Sequence, residues 1–144
     1  MYRELIANAA KNIEYSTLQP PCPESEIAKA ETYMGHRFPH ELRALLKETN
    51  GDRFLLLSVD EMVERVRINR EILAENLDED VYAEIESFVF FATNGIGDYY
   101  CYKASANGTI DENTIYIWEH ETFEYHKVAD SLAELITKYY NDEV

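Results

Sequence analysis

The sequence predicts an α+β fold in which an antiparallel sheet packs against helices. Three observations predict it. Apolar residues recur at helical spacing through the first half of the chain. The period then changes at Phe88, after which four strand-type runs follow one another. A last helical stripe closes the chain, so helices flank a block of consecutive strands.

Taken in order, Tyr2, Leu5, Ile6, Ala9 and Ile13 form one stripe of a short amphipathic helix, which the PPCP stretch at Pro20–Pro23 ends. Pro23 suits the first turn of a second helix, with Glu24 and Glu26 favourable at that end of its dipole. Ile27, Ala30 and Met34 face inward there, and Gly35 is a C-terminal stop. Pro39 starts a third helix, lined by Leu42, Leu45, Leu46 and Thr49 and ended by Asn50-Gly51. Phe54 to Leu57 reads as a short strand. Ser58 and Glu61 fit a capping box for a fourth helix, whose buried side is Met62, Val63, Val66 and Leu73. The acidic stretch from Glu75 to Glu86 reads as an exposed helix end and connection. FVFFA, YYCY, TIYIW and FEYHKV are the four strands, with turn chemistry at Asn94-Gly95 and Asn107-Gly108. Asp130 is the expected N-cap of a final helix carrying Leu132, Leu135, Ile136 and Tyr139.

At 144 residues the chain is expected to be one domain, 1–144, able to bury a core without disulfide or metal. No apolar run is long enough to span a membrane. The N-terminus lacks the uninterrupted apolar stretch of a signal peptide, so a cytoplasmic location is expected. Cys22 and Cys101 make no disulfide framework, and the choice between a bridge and two thiols is open. Against 13 basic residues stand 28 acidic ones, a formal charge of −15. That surface repels nucleic acid and anionic lipid and attracts basic partners.

The chemistry-bearing residues argue against an enzyme and for a binding module. The NGIGDYYCY segment invites a nucleotide reading, but Tyr100 stands where the dinucleotide fingerprint needs its third glycine, and a strand follows in place of a helix. Glycines in a tight β turn, with Asp98 bonding nearby amides, account for it better. His120 and His126, read as one extended strand, lie roughly 20 Å apart, too far for one metal ion. Pro39 keeps His36 and His40 off a common helical face, and no zinc-ligand spacing occurs. Neither cofactor nor metal is expected. Asp98, Glu119, Glu121 and His120 would cluster if the strands pair, yet 28 carboxylates make such a cluster unremarkable by chance. Eleven tyrosines and one tryptophan favour recognition. On each strand alternate aromatics face the helices and the others face outward, beside Glu119, Glu121 and Glu124. The candidate partner-binding residues are Asp98, Tyr99, Trp118, Glu119, Glu121 and Glu124.

The stretch EIAKAETYMGHRFPHELRALLKETNG resembles the opening motif of the SUKH superfamily, in its cell-wall-assembly-regulator (Smi and Knr) branch. The matching features are Glu31, Gly35, Pro39, Leu42, Leu46, Asn50 and Gly51. NGIGDYYCY, IYIWEHE and ADSLAELI resemble the family's Gly-Asp turn, Trp-containing strand and C-terminal helix, so the motif-bearing part is 24–140. The resemblance implies a twisted antiparallel sheet of about four to six strands and a non-catalytic protein-binding module. It maps the Gly-Asp turn and Trp strand to Gly97, Asp98 and Trp118. Residues 1–20 lie outside the motif and are expected to be an accessory helix or oligomer surface, with monomer and homodimer both open. Bacterial members are regarded as immunity proteins that neutralise toxins, often nucleases, and a basic toxin domain is the partner this acidic chain suits. The alternatives are a regulatory or scaffold module, and a small-ligand binder or hydrolase using a pocket near Asp98.

Overall fold

A computed structural model describes residues 1–144. Helices α1 (Tyr2–Ala9), α2 (Glu24–Met34), α3 (His40–Glu48) and α4 (Val59–Ile68) precede the sheet. α4 continues without a break through a π-helical turn (Asn69–Leu73) into a last α turn (Ala74–Asn76). Then follow α5 (Glu79–Glu86), strands β1 (Phe88–Thr93), β2 (Tyr99–Lys103), β3 (Ile115–Trp118) and β4 (Tyr125–Ala129), and α6 (Leu132–Tyr140). The strands pair antiparallel in the order β1-β2-β3-β4.

Period-two alternation divides the sheet residues between two cores. On one face Val89, Phe91, Tyr100, Tyr102 and Ile115 meet the apolar stripes of α1, α2, α3, α4 and α6. On the other, Phe88, Phe90, Cys101 and Trp118 meet Ile85 of α5, with Leu73, Leu77 and Val81 packed around them. This explains why β1 is apolar from Phe88 to Ala92: both of its faces are covered. It also corrects the outward-facing aromatics. Trp118, Tyr99, Tyr116 and Tyr125 lie under or within a second layer instead of forming an open surface. That layer comes from the segment read as an exposed connection: Leu77, just before α5, and Val81 and Ile85 within it recur every fourth residue and pack on the sheet.

The helix ends follow local chemistry. Gly35 closes α2 in the left-handed conformation, φ 79°. Ser58 and Glu61 form the reciprocal capping box on α4. The N-cap of α6 is Ser131, whose hydroxyl accepts from the Glu134 amide at 3.1 Å; Asp130 instead pairs with Lys127. α1 is no appendage. It ends at Ala9, short of Ile13, and buries Tyr2 and Ile6 in the main core, while Arg3 donates to the Gln19 and Glu48 carbonyls at 2.9 and 2.6 Å.

The expected strand at Phe54–Leu57 is a single bridge, Leu56 to Ala92, flanked by bonds from Leu57 N to Phe91 O and from Thr93 N to Leu55 O. Asp52 competes for its amides. The Oδ1 atom of this fully buried side chain accepts from the amides of Phe54, Leu55 and Leu56 at 3.0, 2.9 and 2.8 Å. Oδ2 accepts from the hydroxyls of Ser16, at 2.9 Å, and Tyr140. Five donors thus compensate a carboxylate with no cation beside it. Burial first, and then the Asp52 carboxylate, push the Tyr140 hydroxyl well above the usual tyrosine range. Gly51 makes the approach: at φ 84° a Cβ there would lie 2.7 Å from the Leu56 carbonyl oxygen. Cys22 and Cys101 are free thiols in different cores.

Candidate protein-interaction site

The Asn94–Asp98 turn is a latch between two loops. Asn94 Oδ1 accepts from the Ile96 and Asp98 amides at 3.1 and 3.3 Å, closing the turn on itself. Asp98 Oδ1 then accepts from the backbone N–H of His120 at 3.1 Å and bonds its Nδ1 at 2.7 Å. Asn94 Nδ2 donates to Asp98 Oδ2 at 3.2 Å. Gly97, φ 104°, lets the His120 ring lie against it; a Cβ would fall 2.8 Å from that ring. His120 sits in the turn between β3 and β4, closed by Glu119 N to Glu124 O at 2.9 Å, so His120 and His126 do not share a strand as expected. No three His, Cys, Asp or Glu side chains converge as metal ligands.

Burial pushes the Asp98 carboxyl up, but the bonds from His120 and Asn94 outweigh it and hold the group below its ordinary value of 3.8. Glu112 is depressed as well, first by the His40 amide and then against burial by its ring. A carboxyl depressed in the folded state contributes stability above its unfolded pKa and loses it as pH falls through the folded one. Acid unfolding is therefore expected to set in below roughly pH 4, and Asp98→Asn should flatten part of that fall. Urea midpoints measured from pH 6 to 2.5 check this; parallel profiles for the two proteins would remove Asp98 from the account.

The sequence-derived candidates separate into surface and core. Glu121 is exposed, its side chain 84% accessible, and Glu124 is exposed beside it. Glu119 is half-buried, with its carboxylate 3.6 Å from His126 Nδ1. Ile96 projects from the latch, 73% exposed. Trp118 is only 6% exposed, stacked on Phe123 with centroids 5.6 Å apart and edge-on to Phe90 at 5.4 Å. It supports the surface from beneath and does not form it. Tyr99, opposite Trp118 in the ladder, reaches the surface on one side. There the Arg65 guanidinium lies 5.4 Å over its ring, and Nη1 donates to its hydroxyl at 3.2 Å.

Tyr99 and α4 border a groove of about 460 Å³, floored by Leu57 and Ile68 and rimmed by Asp60, Glu61 and Glu64. The α4 carboxylates were absent from the sequence-derived set. Their signal is present: Asp60, Glu61 and Glu64 fall on the helix face opposite Val59, Met62 and Val66. The two loops and α4 thus present acidic groups around small apolar patches, at Ile96 and in the groove. Asp98 lines no part of that groove, and both its oxygens are engaged.

The model of the SMI1-KNR4 cell-wall family, a SUKH family, matches residues 24–136. No curated protein matches the chain. No helix is long and apolar enough to cross a membrane. A family match over most of the chain, on an α+β fold with a four-stranded antiparallel sheet, places this protein in the SMI1-KNR4 cell-wall family of the SUKH superfamily, a family of protein-interaction modules.

Proposed function

We propose that this protein is an immunity protein of the cytoplasm: it binds a toxin with a basic surface, such as a nuclease, and neutralises it by occupying that surface. The observation that carries the reading is charge joined to shape. A formal charge of −15 accompanies an acid-rimmed apolar groove and, on the 94–98 latch, an exposed Ile96. Nuclease toxins bind phosphates through Lys and Arg, and a carboxylate surface competes for the same groups. Asp98 acts here by holding two loops together, and Glu119, Glu121 and Glu124 supply contact charge.

Co-expression with any toxin domain found encoded beside this chain tests the reading. Rescue of growth and co-purification at 1:1 are expected, with affinity falling as salt rises. Continued killing without co-purification would sink it, and salt-independent binding would sink the electrostatic part. Replacing Glu119, Glu121 and Glu124 together by Lys is expected to weaken binding by about tenfold or more, mainly through association rate. The match to a cell-wall family favours a second reading, a regulatory or scaffold module binding a cellular protein. Absence of a toxin gene beside this one would favour it.

A further inference from the structure

The groove between α4 and Tyr99 makes specific demands on what fills it. Of its rim carboxylates, Glu61 is committed to the Ser58 amide and Glu64 to Arg67, whereas Asp60 is exposed and makes no side-chain hydrogen bond or ion pair. Arg65, in the same groove, has no carboxylate partner, although acidic residues outnumber basic ones by 28 to 13. Its Nη1 is used by Tyr99 and its Nε is sequestered from solvent, whereas Nη2 keeps solvent access and donates to no protein group. An accessible guanidinium donor with no protein acceptor is free to meet an incoming one.

These groups do not suit a free anion, because three carboxylates surround Arg65 and repel it. They suit a neutral acceptor next to a cation, which is what a peptide carbonyl followed by a basic side chain provides. We propose that the groove binds a basic peptide segment of the partner. A main-chain carbonyl accepts from Arg65 Nη2, a side-chain stem lies on Leu57, Ile68 and Tyr99, and the Lys or Arg head reaches Asp60 and Glu64. Long basic side chains divide themselves in this way between apolar surface and a charged tip. The proposal deepens the reading of this chain as a binder of a basic protein and rests on it.

The test titrates the 15N-labelled full chain with acetyl-Gly-Leu-Arg-Lys-Gly-amide and, in parallel, with the charge-swapped acetyl-Gly-Leu-Glu-Glu-Gly-amide. The basic peptide is expected to shift the amides of Glu61, Ile68 and Tyr99 and the Arg65 Nε–H resonance; the acidic one leaves them in place. Asp60→Lys, a change at an exposed side chain, should weaken the basic peptide by about tenfold. Equal shifts with both peptides, shifts confined to residues 119–124, no shift, or unchanged binding by Asp60→Lys would each overturn the groove. The parent reading fails separately. A chain that takes the peptide here but does not co-purify with the neighbouring toxin keeps the groove and loses the immunity role. Toxin captured equally well by Asp60→Lys and the unaltered chain overturns the groove alone.

Discussion

Asp52→Ala is expected to lower stability by about 3 to 5 kcal/mol, among the largest effects of any single change in this chain. Alanine removes the acceptor for three backbone amides, two of them buried, and for two hydroxyls at once. Ser16 and Tyr140 can turn toward other acceptors, but the amides of Leu55 and Leu56 are buried and have no water to take them. Three elements would loosen together: the segment after α1, the extended residues bonded to β1, and the end of α6. Asp52→Asn should cost less, since an amide oxygen in place of Oδ1 still accepts from the three backbone donors. Thermal melts followed by far-UV circular dichroism check this, with a drop of roughly 10 to 20 °C for alanine. Equal melting of the alanine and asparagine variants would remove the amide nest from the explanation.

The Asp52 site also shows where sequence reasoning stops. Strand positions were legible because an apolar run such as FVFF in β1 has few alternatives, and helix ends were legible because Gly35, Ser58 and Glu61 act on neighbours within four residues. The partners of Asp52 lie 36 and 88 residues away, and no local pattern announces them. The second layer was hidden differently. Acidic residues crowd α5, so Leu77, Val81 and Ile85 stand out less than the leucines of α3, and the π-helical turn shifts the phase in which Leu73 would be counted. With that layer unseen, one face of the sheet read as open, and its aromatics read as contacts. Within the candidate site, the charge of the 119–124 turn could be read in the sequence. The groove could not, because it needs α4 and Tyr99 brought together across 34 positions.

Trp118 is the residue whose role changes most between sequence and structure, and two substitutions separate its roles. Trp118→Ala is expected to cost about 3 to 5 kcal/mol, because it empties the centre of the second core between Phe90 and Phe123. Trp118→Phe should cost only about 1 to 2 kcal/mol. It sacrifices area, but it also removes an indole N–H that is buried with no acceptor, and an unmade bond is nothing to lose. Urea unfolding followed by circular dichroism measures both without depending on the lost fluorophore. Phe123 bears on the same site: it holds a left-handed backbone, φ 59°, that an aromatic residue adopts only when its surroundings repay the strain, and its stack on Trp118 is the repayment the structure shows. Phenylalanine at 118 keeps a ring for that stack and alanine does not, so only alanine should free the 119–124 turn and disturb the carboxylates it carries. A phenylalanine variant that unfolds cooperatively yet no longer binds the partner would instead make the indole itself a contact.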